Sequence, residues 1–175
     1  MTDGDIKEFV MDEIKRIMVA LGFSEYSGGI FKYADKLAAK LGAELVVANI
    51  INSRDVEAVT AITNMGYDLV DPKRYIKELK EERRNAFEAI AKDCAVSREA
   101  IELILRVGHP IDELLKIIIE EDVDLVVMGV KGRTDLEHVL IGSVAEKLFR
   151  RSPVTVISYR DEKNKERLRK RINLG

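Results

Sequence analysis

Leu125-Val126-Val127-Met128-Gly129-Val130-Lys131-Gly132, followed nine residues on by Gly142-Ser143 and a helical pattern from Val144 to Phe149, decides how this chain folds. A short apolar run delivers the backbone into a glycine-marked loop, and the loop delivers it into a helix start. The first amides of a helix have no partner within it, and they carry the positive end of the helix dipole. Such a junction favours an anion, and a phosphate above all. Glycine at 129, 132 and 142 lets backbone come close to a ligand, Ser143 adds a hydroxyl, and Lys131 and Arg133 add positive charge.

Working outward, the same alternation repeats. Arg16 to Leu21 is a continuous apolar run, short and closed by Gly22, as a strand buried on both faces reads. A loop over 22–29 leads to a helix at about Ile30 to Leu41, with Ala34, Leu37, Ala38 and Leu41 on one face and Gly42 placed to end it. Glu44 to Ile51 is a second strand. Residues 52–70 stay open between one or two helical turns and a loop. Asp71-Pro72 is a strong helix start, a capping carboxylate followed by proline. The helix it opens runs to about Cys94, with Tyr75, Leu79, Ala86, Phe87, Ile90 and Ala91 inward and Lys80 to Arg84 mostly in water. Ala100 to Val107, Asp124 to Met128 and Val154 to Tyr159 complete five strands, with helices at Ile111 to Glu121 and Ser143 to Arg151. Strands alternating with helices predict an α/β fold: an open five-stranded parallel sheet with helices on both faces. The domain spans 14–160, between a short N-terminal extension (1–13) and a basic C-terminal tail (161–175).

Composition narrows the function. A chain of 175 residues, 46% hydrophobic and 34% charged, has the profile of a single ordinary globular domain. No apolar run approaches the ~20 residues that span a membrane. The acidic start, Met1 to Asp5, lacks the form of a secretory signal, and the lone Cys94 cannot form an internal disulfide, so a cytoplasmic setting is expected. The net charge of −2 speaks against a dedicated nucleic-acid binder. Residues 160–175 carry seven basic and three acidic residues, without interleaved aromatics, and read as a solvated terminal helix, the alternative being a tail that contacts nucleic acid, acidic lipid or a partner.

Rival phosphate motifs are absent. There is no G-x-x-x-x-G-K-[ST] and no G-x-G-x-x-G after the first strand. A receiver-type phosphoacceptor needs acids at the ends of strands one and three, where this chain has Gly22 and Arg106-Val107-Gly108. Open parallel sheets bind ligands beyond the carboxyl ends of their strands where strand order reverses. If strands one and four are neighbours, the loops after them line one crevice.

Gly129-x2-Gly132-x9-Gly142-Ser143 resembles the G-2x-G-9x-G-[ST] motif of the nucleotide-binding universal stress proteins. The flanking Asp124 to Gly129, Gly142 to Leu148 and Ser152 to Ile157 agree with it, as do Gly108-His109-Pro110 and Lys36 to Leu45. The resemblance covers roughly 14–160. It implies strand order 3-2-1-4-5, a homodimer, and ATP or another adenine nucleotide as ligand. Carried over by position, Ala20, Leu21 and Ile50 would neighbour adenine. Met128, Gly129, Lys131 and Gly132 would run beside ribose and phosphates, and Gly142, Ser143 and Val144 would donate to phosphates. One departure stands out: Gly22 occupies the place of the family's usual aspartate after strand one, and Phe23 beside it is a candidate to pack on the base.

No catalytic constellation is legible. His109 and His138 lie far apart, no ligand spacing suggests a metal site, and Mg²⁺ would enter through phosphate oxygens, with Asp135 the nearest loop carboxylate. The apolar strand 154–159 belongs at the sheet edge and needs cover, either a second copy of the chain or residues 160–175 folding back. A nucleotide-binding regulator or sensor in stress response is therefore expected. The alternatives are a slow ATPase, or an interaction protein that keeps the fold without the nucleotide and contacts an unknown protein partner.

Overall fold

The computed structural model describes residues 13–65, 71–130 and 142–172. Lys131, Gly132, Arg133, Asp135 and His138 lie outside them. Five strands, β1 (Arg16–Ala20), β2 (Glu44–Asn52), β3 (Ile101–Gly108), β4 (Leu125–Gly129) and β5 (Thr155–Tyr159), form one sheet in the order β3-β2-β1-β4-β5. Every adjacent pair is parallel. The helices are α1 (Ser27–Leu41), α2 (Ser53–Asn64), α3 (Pro72–Ile90), α4 (Pro110–Glu120), α5 (Ser143–Arg151) and α6 (Glu162–Arg169). This is the architecture and strand order that the alternation and the resemblance imply.

Parallel strands need helical crossovers, and these bury both faces of the sheet. Side chains of one strand alternate between two cores. Ile17, Val19, Leu45, Val47, Leu125 and Val127 meet Ile30, Phe31, Ala34 and Ala38 of α1 and Phe87 of α3. Met18, Val46 and Val126 point the other way, onto Ile111, Leu114, Ile117 and Ile118 of α4 and Ala145 and Leu148 of α5. Each fully buried side chain of this size contributes about 1.5–3 kcal/mol, which is why the central strands read as unbroken apolar runs.

Polar contacts set the register at the ends. Asp124 Oδ2 accepts from the amides of Lys15 (2.8 Å) and Arg16 (2.9 Å), while the Asp124 amide donates to the Arg16 carbonyl. This joins the starts of β1 and β4. Gly42 ends α1 at φ 67°, left-handed, with its amide on the Ala38 carbonyl. Asp71 caps α3, accepting from the amides of Lys73 and Arg74.

Two expectations need adjustment. Within the open stretch 52–70, Ser53–Asn64 is helix α2, started by the Asn52 side chain, which accepts from the Arg54 amide, and 66–70 lie outside the described residues. None of its residues is buried, so it writes no apolar stripe into the sequence. Within the charged run of α3, Arg83 is not in water: it is 6% exposed and stands over the Phe23 ring at 5.7 Å. The tail after residue 160 is the short helix α6, capped by Asp161 through the Asn164 amide. Among the described residues, no helix is long and apolar enough to cross a membrane.

Candidate functional site

Strand order turns round between β1 and β4. The chain winds from β1 through β2 to β3 on one side, then α4 carries it back to β4 on the other side of β1. The loops that leave β1 and β4 therefore diverge, and a crevice opens between them at the carboxyl ends.

Side-chain size enlarges this crevice. On the face of the sheet toward α4 and α5, Met18 and Val46 fill the middle of β1 and β2. One level higher the residues are Ala20 and Ala48, paired in register with each other, and Ala20 also pairs with Met128 of β4. Two alanines leave space that larger side chains would close. The result is a cavity of about 340 Å³, within the usual range for small-molecule sites. Leu114 of α4 and Ala145 and Leu148 of α5 wall it on the helical side, and Ile50 and Asn52 continue the β2 side.

Of the eleven residues marked in the sequence, nine are described, and all nine line this cavity: Ala20, Leu21, Gly22, Ile50, Met128, Gly129, Gly142, Ser143 and Val144. Lys131 and Gly132 lie outside the described residues. The Gly142 amide donates to the Val130 carbonyl at 2.8 Å, so the chain leaving β4 and the chain entering α5 run side by side. Gly142 is the N-cap of α5, and no side chain among the described residues caps that end. The amides of Ser143 and Val144 precede the first i→i−4 acceptor, which is the Gly142 carbonyl, taken by Glu146. They are donors at the cavity rim.

Several polar residues at the cavity escaped the sequence reading: Ser24, Asn49, Asn52 and Asp55. Asn49 is 5% exposed and donates through Nδ2 to the Leu21 carbonyl at 2.7 Å. It thereby ties the loop after β1 to β2. Its Oδ1 has no hydrogen-bond partner among the described residues, so this buried acceptor can take a donor from a ligand or water. A polar residue inside a run of valine and isoleucine was the available signal. Asp55 became visible only with α2, in whose first turn it sits. Phe23, the candidate to pack on a base, does not line the cavity. It has φ 50° and turns to the Arg83 guanidinium and the core under α1 and α3.

The family model of the universal stress proteins matches residues 13–160. The chain belongs to the universal stress protein family. It is 27% identical over 152 residues to the universal stress protein MJ0577 of Methanocaldococcus jannaschii, covering 82% of this chain and 94% of that one. A putative universal stress protein of Staphylococcus aureus is 28% identical over 151 residues, covering 85% of each. The solved structure of MJ0577 superposes with a TM-score of 0.67 at 26% identity, covering 86% of this chain and 99% of that one. Two further universal stress protein structures share the fold. One is a complex with cAMP (TM-score 0.55, 22% identity, 84% of this chain and 97% of that one). The other, from Archaeoglobus fulgidus, is a complex with dAMP (TM-score 0.52, 20% identity, 85% and 99%). This universal stress protein shares their α/β fold, and its own cavity lies at the carboxyl ends of the parallel sheet.

Proposed function

We propose that the protein binds an adenine nucleotide in the cavity at the ends of β1, β2 and β4, and that it works as a nucleotide-responsive regulator in stress response. The observation that carries this reading is the convergence of the β4–α5 connection, through Gly129 and Gly142 to Val144, on the same cavity as Ala20 to Gly22 and Ile50. The two halves match the needs of a nucleotide. The aliphatic walls suit a flat base, and the open helix start suits phosphates. The complexes of two relatives with cAMP and dAMP add support for the ligand class.

The family's aspartate after strand one is replaced by Gly22, and a polar substitute on this wall is Asn49, bonded to the Leu21 carbonyl. In this reading its free Oδ1 accepts from the ligand while Nδ2 holds the loop. Mg²⁺ fits only as a companion of phosphate. No group of three or more acidic, histidine or cysteine residues among the described residues could hold a metal ion, and Asp55 is the one described carboxylate on the cavity wall. A magnesium ion there would keep waters and take most of its remaining ligands from phosphate oxygens.

The test is a thermal-shift titration of purified protein with AMP, ADP and ATP, beside mass spectrometry of nucleotide released on denaturation. Ligand at one hundred times its Kd stabilises the fold by about 2.7 kcal/mol. For a chain of this size that raises Tm by roughly 5–10 °C. No shift at millimolar ATP, with no nucleotide released, would leave the interaction-protein alternative standing.

A further inference from the structure

A second, smaller cavity of about 130 Å³ adjoins the first. The two share Asn52, Pro110, Ser143 and Val144, so they meet along the start of α5. Their linings differ in kind. The larger cavity is mostly aliphatic. The smaller one gathers basic side chains from three separate elements: Arg54 of α2, His109 ahead of α4 and Lys147 of α5.

Of these, Arg54 and Lys147 have no acidic partner among the described residues. Surface arginines nearby are paired: Arg151 with Asp112, Arg150 with Glu146, and Arg106 with Glu113 and Glu120. The side chains of Arg54 and Lys147 make no ion pair or hydrogen bond with any described residue. Asp112 is engaged by His109 Nδ1 at 3.0 Å and by Arg151 at 3.3 Å. Asp55 lines the larger cavity and not the smaller. Two positive side chains without a described acidic partner line one small polar cavity, a lining that favours an anion.

We propose that this side pocket receives the terminal phosphate of a nucleotide whose base and ribose occupy the larger cavity, with Arg54 and Lys147 as its cationic contacts. The site then selects adenosine di- or triphosphate over the monophosphate. The inference rests on the nucleotide reading above and adds to it the specificity-determining residues. Each cation lost costs the triphosphate roughly tenfold in affinity, as a hydrogen bond to a charged group does. The monophosphate, too short to reach, is spared. Both residues are exposed, so their replacement leaves the fold intact.

Isothermal titration of the full chain and of Arg54→Gln, Lys147→Gln and the double variant, each with AMP and with ATP, tests this. The wild type should bind ATP at least tenfold more tightly than AMP. The double variant should lose most of that preference while its AMP affinity stays within about twofold. Unliganded Tm should not move. Equal wild-type affinity for AMP and ATP would overturn the inference and leave the nucleotide reading in place, as would a double variant that weakens both nucleotides alike or neither. An absence of binding by either nucleotide would overturn both. Titrating AMP in the presence of inorganic phosphate separates the two sources of phosphate. If free phosphate tightens AMP in the wild type but not in the double variant, the pocket serves a separate ion, and the terminal-phosphate assignment fails.

Discussion

Replacing Gly142 by aspartate should move stability and anion binding in opposite directions. Gly142 sits at φ −68° and ψ 149°, extended backbone that any residue adopts, so the substitution carries no conformational cost. Its carbonyl already accepts from the Glu146 amide at 2.9 Å, and no side chain among the described residues caps the helix. An aspartate there can accept from the open amides of α5 and oppose the positive end of the helix dipole. The first effect is worth a few tenths of a kcal/mol over glycine, and the second about 0.3–1 kcal/mol. Unliganded Tm should therefore hold or rise by roughly 1–4 °C. Binding should suffer. A carboxylate about 4 Å from a phosphate oxygen repels it by about 4 kcal/mol at an effective dielectric constant near 20. Physiological salt screens part of this. Half of it still weakens ATP by about thirtyfold. Differential scanning fluorimetry of the free protein and isothermal titration with ATP read the two effects, and Gly142→Asn, of the same shape without the charge, isolates the electrostatic part. Unchanged ATP affinity in Gly142→Asp would refute the placement of phosphates at the start of α5. A fall of several degrees in unliganded Tm would refute the cap geometry.

Further perturbations test the scaffold. Asp35 of α1 is 3% exposed and accepts from the amides of Ala95 (2.7 and 2.9 Å) and Val96 (2.9 Å), tying α1 to the segment after α3. Asp35→Ala strands these donors and should cost about 2–4 kcal/mol in urea unfolding; a loss under 0.5 kcal/mol would show that water replaces the carboxylate. Gly42→Ala meets no atom within 4 Å, so its cost is the left-handed backbone alone, about 1–2 kcal/mol in the same assay. Strand β5 pairs on one side only, with β4, among the described residues, and we propose that a second copy of the chain covers the other side. Sedimentation should then give a dimer that Val156→Pro or Ile157→Pro disrupts, since consecutive amides of a strand point to opposite edges and one of these two faces outward; a monomeric wild type would reject that pairing.

The central fold was legible because burial on both faces leaves a simple mark. Ile17 to Ala20 and Leu125 to Met128 are unbroken apolar runs, Leu45 to Ile51 is interrupted only by Asn49, and α1 and α5, which follow the first and the last of these strands, each bury one apolar stripe. Helix α2 left no such mark, since it buries nothing. Arg83 was misplaced into water because a charge in a charged run looks solvated, whereas it lies buried over the Phe23 ring and pairs with Glu82 at 3.3 Å. At the candidate site, Gly129, Gly142 and Ser143 pointed to the cavity they line, because three such residues at strand and helix boundaries let backbone approach a ligand, where a single glycine after a strand would mark only a turn. Asn49, Asn52 and Asp55 were missed for a different reason. Their relevance depends on how far β2 extends past its apolar part and on where α2 begins, and the local pattern specifies neither.

The most direct test of the account is isothermal titration of the intact chain with ATP in magnesium-containing buffer. The account predicts a saturable heat with one nucleotide per chain, weakened about thirtyfold in Gly142→Asp. No heat at millimolar ATP from a protein shown to be folded and free of bound nucleotide would contradict it.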